Sequence, residues 1–285
     1  MSRFGHGWRA PAPQGRRGLI VESGDRRPPL SGIVIARDEE ELLSACLASL
    51  RPHCAELLVV LDARHTEEAR RVAEAAGARV LVHPFESHVK QKNVAVDAAA
   101  HDWLLSLDAD EALEEGLERD LARWDWQRPE RAGRLRRRNW HLGGWVDWTG
   151  WRRDGSRRLF NRRRARFTGS WVHDNVSGAG LVEWPLKARI LHWPYRDLGH
   201  HVEKINRYTG QLAVEARARG RRPSLVKLAL DPPWKFLRMY LLEGGFLMGR
   251  RGFVLSVVAA FYVFLKQARL WEAWQSPVRR GDAES

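Results

Sequence analysis

Cysteine is nearly absent from this 285-residue chain: only Cys46 and Cys54 occur. Their spacing makes no zinc site. Cys46 falls on the apolar stripe of an expected helix, the place of a packed thiol, and so little cysteine suits a reducing, cytosolic setting. The apolar segment Phe253–Leu265 has 13 residues, short of the roughly 20 needed to span a bilayer. Residues 1–29 have no long apolar stretch and do not read as a secretory leader; rich in Arg, Gly and Pro, they read as a disordered basic arm. No internal repeat is visible. No glycine-rich loop follows the first expected strand, which argues against a dinucleotide Rossmann site or a P-loop. Acidic residues are outnumbered, 35 against 48 Lys and Arg, for a net charge of +13. That excess calls for an anionic partner: a nucleic acid, an anionic membrane or a phosphorylated substrate. No recognised nucleic-acid-binding motif accompanies it.

What the chain does have is an alternation of strand and helix patterns from 31 to 112. Gly32–Ala36, Leu57–Leu61, Arg79–His83 and Trp103–Leu107 are short apolar runs. Between them lie helical patterns: Glu39–Leu50 with its leucine stripe, a segment N-capped by Thr66 and ended by Gly77, and Lys90–Ala100. Such runs predict a parallel sheet covered on both faces, with ligands beyond the C-terminal strand ends. From 112 to 195 the pattern changes to an expected helix, Glu114–Trp124, and then short Trp- and Arg-rich runs that read as β-ribbons rather than a second wound sheet. From 197 to 275 the chain reads as helical.

The strand ends carry the chemistry. Arg37-Asp38-Glu39 follows the first strand, Asp62 the second, and Asp108-Ala109-Asp110-Glu111 the fourth. Three carboxylates at the end of a buried strand are costly without a cation or full solvation. A hard divalent ion such as Mg²⁺ takes one or two carboxylates and completes its shell with waters and phosphates. Asp108 and Asp110, two residues apart at a strand end, can face one ion. The pattern points to an enzyme acting on a phosphorylated or nucleotide-activated substrate. Among the arginines, Arg158 beside Leu159-Phe160 is expected to face a donor or acceptor phosphate. The 14 tryptophans suit sugar faces and membrane interfaces, although each alone is more often core or rim.

Taken in order, these stretches resemble family 2 glycosyltransferases of the GT-A fold, closest to the lipopolysaccharide core β-glycosyltransferases. The resemblance rests on "SGIVIARDEEELLSACLASL" from Ser31, "ELLVVLDARHTEEA" from Glu56, "HPFESHVKQKNVAV" from His83 and "WLLSLDADE" from Trp103. It continues with "GWRRDGSRRLFNRR" from Gly150, "WVHDNV" from Trp171, "HWPYRDL" from His192, "KINRYTGQLAVEARARG" from Lys204 and the tail beginning at Phe236, covering about 31 to 274.

The resemblance implies an α/β GT-A wound sheet with a helical, membrane-associating C-terminal region. The corresponding divisions are a catalytic domain over 30–196 (nucleotide-binding half 30–112, acceptor half 113–196), a helical region over 197–275 and a tail over 276–285. It implies a metal-dependent inverting transfer from a nucleotide-diphosphate sugar, UDP-glucose or similar, to a lipopolysaccharide-core or other lipid-linked acceptor. The first loop, with Arg37 and Glu39, and Asp62 would bind the nucleotide, Asp62 reading the base edge. Gln91, Lys92 and Asn93 would lie near the donor diphosphate, and Asp108 and Asp110 would hold Mg²⁺ or Mn²⁺ against it. For the base on the acceptor hydroxyl, Asp174 is the first choice, where the family usually has Glu, with Asp154 and Glu111 as alternatives; His173 would orient Asp174. The second loop also departs from the family, reading Asp62-Ala63-Arg64-His65-Thr66-Glu67 in place of Asp-Ser-Gly-Ser-Thr-Asp, and Asp38 stands where Asn is usual.

Two apolar stretches, Phe236–Met248 and Phe253–Leu265, are flanked by Arg250, Arg251, Lys266 and Arg269. They fit a monotopic anchor on an anionic leaflet, hence an expected location on the inner face of the plasma membrane; a buried helical pair is the alternative. Competing readings of the whole chain are a degenerate family member, a member acting on another glycan, and a basic nucleic-acid-binding protein. A phosphatase with an Asp-x-Asp nucleophile is disfavoured, because that pair normally follows a first strand.

Overall fold

The computed structural model describes residues 29–169 and 174–275. The expected basic arm (but for Pro29), His173 with the start of its motif, and the tail lie outside the described residues. Two compact units are present. One comprises the chain to Trp140 together with Arg153–Pro194; the other comprises His141–Arg152 and the chain from Tyr195.

In the first unit, β1 (Leu30–Ala36), α1 (Glu40–Leu50), β2 (Glu56–Asp62), α2 (Glu67–Ala75), β3 (Arg79–His83), α3 (His88–Ala98) and β4 (Trp103–Asp108) follow the expected alternation. The strands are parallel in the order β3-β2-β1-β4, with Ile35 opposite Asp108 and Asp62 opposite His83. Successive side chains alternate between two cores. Leu57, Val59 and Leu61 pack in one with Leu43 and Leu47 of α1, while Leu58 and Val60 pack in the other with Ala95 and Val96 of α3. Each such buried aliphatic side chain contributes about 1.5–3 kcal/mol. Capping sets the helix starts. Thr66 accepts the Ala69 N–H as expected, and Ser87 accepts that of Lys90, which starts α3 two residues before the expected Lys90. Gly77, at φ +69°, ends the turn after α2.

Beyond β4 the structure corrects two expectations. The region 114–124 is not one helix. β5 (Glu111–Leu113) comes first, then Gly116 at φ +111°, then a single short helix α4 (Leu117–Leu121). The Trp- and Arg-rich runs are mostly not separate ribbons either. β6 (Arg131–His141), then β7 (Gly144–Trp145), β8 (Gly155–Asn161), β9 (Arg166–Gly169), β10 (Asp174–Ser177) and β11 (Val182–His192) follow. β8 pairs antiparallel with β4, and β6, β11 and β5 continue the same sheet. Only β9 and β10 form a ribbon apart. Trp103, Trp124 and Trp126 meet edge to face, with Trp103 5.6 Å from each of the others and donating its indole N–H to the Trp126 carbonyl; these three serve packing.

The second unit is helical: α5 (Leu198–Ala218), α6 (Leu225–Leu237) and α7 (Arg250–Gln275), with a π-helical turn at Arg238–Leu242 and a 3-10 turn at Gly245–Met248 between the last two. α7 extends well past the 13-residue apolar segment. Among the described residues it is one helix long and apolar enough, by length and composition, to cross a membrane. α6 carries Pro232 and Pro233 in its interior. Val146, Met239 and Leu255 form this unit's small core.

Candidate active site

β4 delivers Asp108 to the C-terminal end of the parallel sheet, and the chain then turns sharply into β5. Glu111 closes that turn by accepting the Asp108 N–H at 3.0 Å, and the Asp110 carbonyl accepts from Trp193 after β11. The acids are therefore fixed from both sides.

Three cations are interleaved with them. Lys92 of α3 lies 2.6 Å from Oδ1 of Asp108 and 2.6 Å from Oδ2 of Asp174, at the start of β10. Arg158 of β8 reaches Asp108 at 3.0 Å and Glu111 at 2.6 Å. Arg137 of β6 reaches Glu111 at 2.6 Å and Asp154 at 3.2 Å. His192 lies 3.6 Å from Asp110 and 2.6 Å from Asn139. Burial works to raise the Asp108 pKa, but Lys92, Arg158 and Arg137 hold it well below the usual carboxylate range. Asp174 follows the same balance: burial opposes, and Lys92 keeps the carboxylate low. Burial, aided by Glu111, Asp108 and Asp110, pushes the Cys46 thiol well up, so it stays protonated, a packed side chain as expected.

The sequence-derived residues fall into groups. Asp108, Asp110, Glu111, Lys92, Asp154, Asp174 and Arg158 are brought together. The sequence led to the expectation that Arg158 faces a phosphate; in the structure it is instead 2% exposed and spends its guanidinium on Asp108 and Glu111. Glu111, 1% exposed, has one oxygen on the two arginines and the other on a backbone N–H, leaving no path to an acceptor. Asp154 and Asp174 keep exposed carboxylate surface. Gln91 is committed to His83, and Asn93 pairs with both backbone groups of Phe167, stapling α3 to β9. Glu39 accepts the N–H groups of Arg37 and Asp38; burial, and then Asp38 and Asp110, raise its pKa. Arg37 pairs with Asp38. Asp62, 4% exposed, is covered by Arg64, whose backbone N–H and guanidinium both donate to it.

Arg137 and His192 are the members that sequence reasoning did not single out. Arg137 sits in an arginine-rich strand that reads as surface, and only the β6–β8 pairing reveals its direction. The motif around His192 was visible, but its proximity to Asp110 comes from the β11–β5 register.

Among the described side chains, five carboxylates (Asp108, Asp110, Glu111, Asp154 and Asp174) face the three cations, so acids outnumber Lys and Arg by two. Among the described residues, no three His, Cys, Asp or Glu side chains are grouped to enclose a metal unaided. The donor set at Asp108 and Asp110 is the open, two-carboxylate kind that suits Mg²⁺ or Mn²⁺ when waters and phosphates complete the shell. Lys92 and Arg158 engage the two Asp108 oxygens and His192 approaches Asp110, so an ion held by this pair would share each carboxylate with a protein partner.

The family described as "Glycosyl transferase family 2" matches residues 31–182. A lipopolysaccharide core biosynthesis glycosyltransferase, LpsC of Rhizobium meliloti, is 29% identical over 86% of this chain and 92% of its own. An uncharacterized glycosyltransferase of Rickettsia bellii is 27% identical over 85% of this chain and 86% of its own. Among solved structures, S. aureus TarS 1-349 in complex with UDP-GlcNAc aligns with a TM-score of 0.41 and 14% identity, covering 86% of this chain and 91% of that one.

Proposed function

Because this chain belongs to glycosyl transferase family 2, and is thus a glycosyltransferase on a GT-A wound sheet, we propose that it moves a sugar, with inversion, from a nucleotide-diphosphate donor such as UDP-glucose to a lipopolysaccharide-core or other lipid-linked glycan. The observation that carries this reading is the acid cluster at the end of β4, where five carboxylates gather on three cations.

In the proposed complex, Asp108 and Asp110 would hold Mg²⁺ or Mn²⁺. The ion would neutralise charge on the leaving diphosphate as a Lewis acid. Asp62 and the first loop, Arg37 to Glu39, take the nucleoside, which requires the Arg64 guanidinium to swing off Asp62. Lys92 pins Asp108 and Asp174 in one frame. Asp174 takes the proton from the acceptor hydroxyl as its oxygen attacks the anomeric carbon and the carbon–phosphate oxygen bond breaks. Its low pKa keeps it ionised at neutral pH, although Lys92 also weakens it as a base, and Asp154 is the alternative base. Arg137, Arg158 and Glu111 form the buried brace beneath. The acceptor class is supported by the name of the LpsC relative, and the basic, apolar second unit supports work at the inner face of the plasma membrane.

The test is a panel of UDP-, GDP- and ADP-sugars offered with Mn²⁺ or with EDTA. Metal-dependent release of nucleotide, lost in Asp110→Ala, is expected. Absence of binding to every donor would overturn the reading in favour of a degenerate member.

A further inference from the structure

The second unit exposes apolar side chains in an ordered way. Along α6 and its π-turn, Val226, Leu230, Trp234, Leu237 and Leu241 recur at spacings of three and four, and each is 45–66% exposed. Along α7, Phe253, Val257, Phe261 and Phe264 do the same at 41–49%. Such spacing makes one stripe per helix. The two helices are joined into a hairpin: Phe253 meets Phe236 at 5.7 Å and Tyr240 at 5.8 Å. The connecting turn bears Phe246 and Leu247, both at least half exposed. It is held tight by Gly252, where a Cβ would sit 1.7 Å from the Gly245 carbonyl oxygen. Exposed apolar surface on this scale marks an interaction site.

Charge identifies the partner. From Arg221 to Gln275 there are nine Lys and Arg against three Asp and Glu, and one of those acids, Glu243, is neutralised by Arg238 at 3.0 Å. A second copy of the chain seated on these stripes would set like charge against like. An anionic lipid surface satisfies both the stripes and the cations. The opposite face of α7 is taken: Leu255, Ser256 and Leu270 are buried, and Trp274 donates to the Arg221 carbonyl. The phenylalanine and valine stripe lies on the side away from those buried residues, which suits a helix lying in the interface.

We propose that the α6–α7 hairpin is a docking surface for anionic phospholipid, lying in the plane of the leaflet. This rests on the membrane-surface reading above and names the element responsible. The experiment is co-sedimentation of the full chain with vesicles of phosphatidylcholine, alone or mixed with phosphatidylglycerol, alongside donor turnover in solution. Binding about ten-fold or more tighter to the anionic vesicles is expected. Leu230→Glu with Leu247→Glu should weaken it about a hundred-fold, since each side chain's burial is worth roughly ten-fold. Lys227→Gln with Arg250→Gln, a pair with little risk to folding, should weaken anionic binding roughly twenty-five-fold and leave neutral vesicles unaffected.

Equal binding to both vesicle types, unchanged binding by either variant pair, or a dimer split by Leu230→Glu would overturn the proposal. So would retention in native membranes through alkaline carbonate washing, which would mean a spanning helix. Donor turnover separates the two readings. Turnover without lipid preference sinks the docking surface alone, and lipid preference without turnover sinks the catalytic assignment alone.

Discussion

Arg158 and Glu111 form an ion pair of 2.6 Å in which neither side chain is more than 2% exposed. Breaking such a pair from one side leaves a buried charge uncompensated. Glu111→Gln is therefore expected to destabilise the first unit by about 3–5 kcal/mol, read as a lower urea midpoint. Were Glu111 instead a base, turnover would collapse at unchanged stability.

Lys92 holds two carboxylates, Asp108 and Asp174, at 2.6 Å each. In Lys92→Met those acids lose the cation that bridges them, and Arg158 stays paired with Asp108. The expected result is weaker donor affinity together with a fall in kcat of about a hundred-fold or more, measured by steady-state kinetics. A change confined to KM would mean that Lys92 only binds donor.

Asp174→Asn and Asp154→Asn separate the two base candidates. The true base, once replaced, loses about 10²–10⁴ in kcat with donor affinity kept. Calorimetric donor titration beside turnover checks this, and the other variant should retain most activity.

Chelation supplies a direct test of the open acid pair. EDTA should abolish donor turnover and Mn²⁺ restore it in the wild type. Asp110→Asn should stay inactive at every metal concentration, while Asp108→Asn, whose oxygens already serve Lys92 and Arg158, should lose stability as well.

Acid should loosen the second unit through a histidine pair. His141 Nε2 and His201 Nδ1 are 3.0 Å apart, and Tyr195 stacks on His201 at 3.8 Å. Burial lowers the His141 pKa to about 4, with Asp197 opposing. Burial, then His141, Lys204 and His200, lowers that of His201 to about 3. The fold therefore favours the neutral rings. Their contribution is complete above the ordinary histidine value of 6.5 and is withdrawn as pH falls from there toward 4 and 3. Melting temperature should drop across that window and drop less in His201→Phe.

The first half of the fold was legible because strands buried on both faces leave unbroken apolar runs, and because Thr66 and Gly77 mark helix ends by their own chemistry. The second half was not. β6 holds five arginines and reads as surface, yet Leu135 is buried, and at Gly133 a Cβ would meet Leu186 at 2.9 Å. The same blindness affected the site. The acids at the strand ends were visible one by one, but Arg158 looked like a phosphate ligand because its partner Glu111 lies 47 residues earlier. A buried ion pair leaves no local periodicity to read.

Pro232 and Pro233 would limit how deep α6 sits on the proposed lipid surface. Proline offers no N–H, so the carbonyls of Leu228 and Ala229, one turn earlier in α6, receive none from it. In hydrocarbon each such oxygen would go unhydrated at a cost of several kcal/mol; at the headgroup level water supplies the missing bond. On the proposed lipid surface the proline pair would act as a float line, letting Leu230 and Trp234 sink while the backbone beside them stays wet.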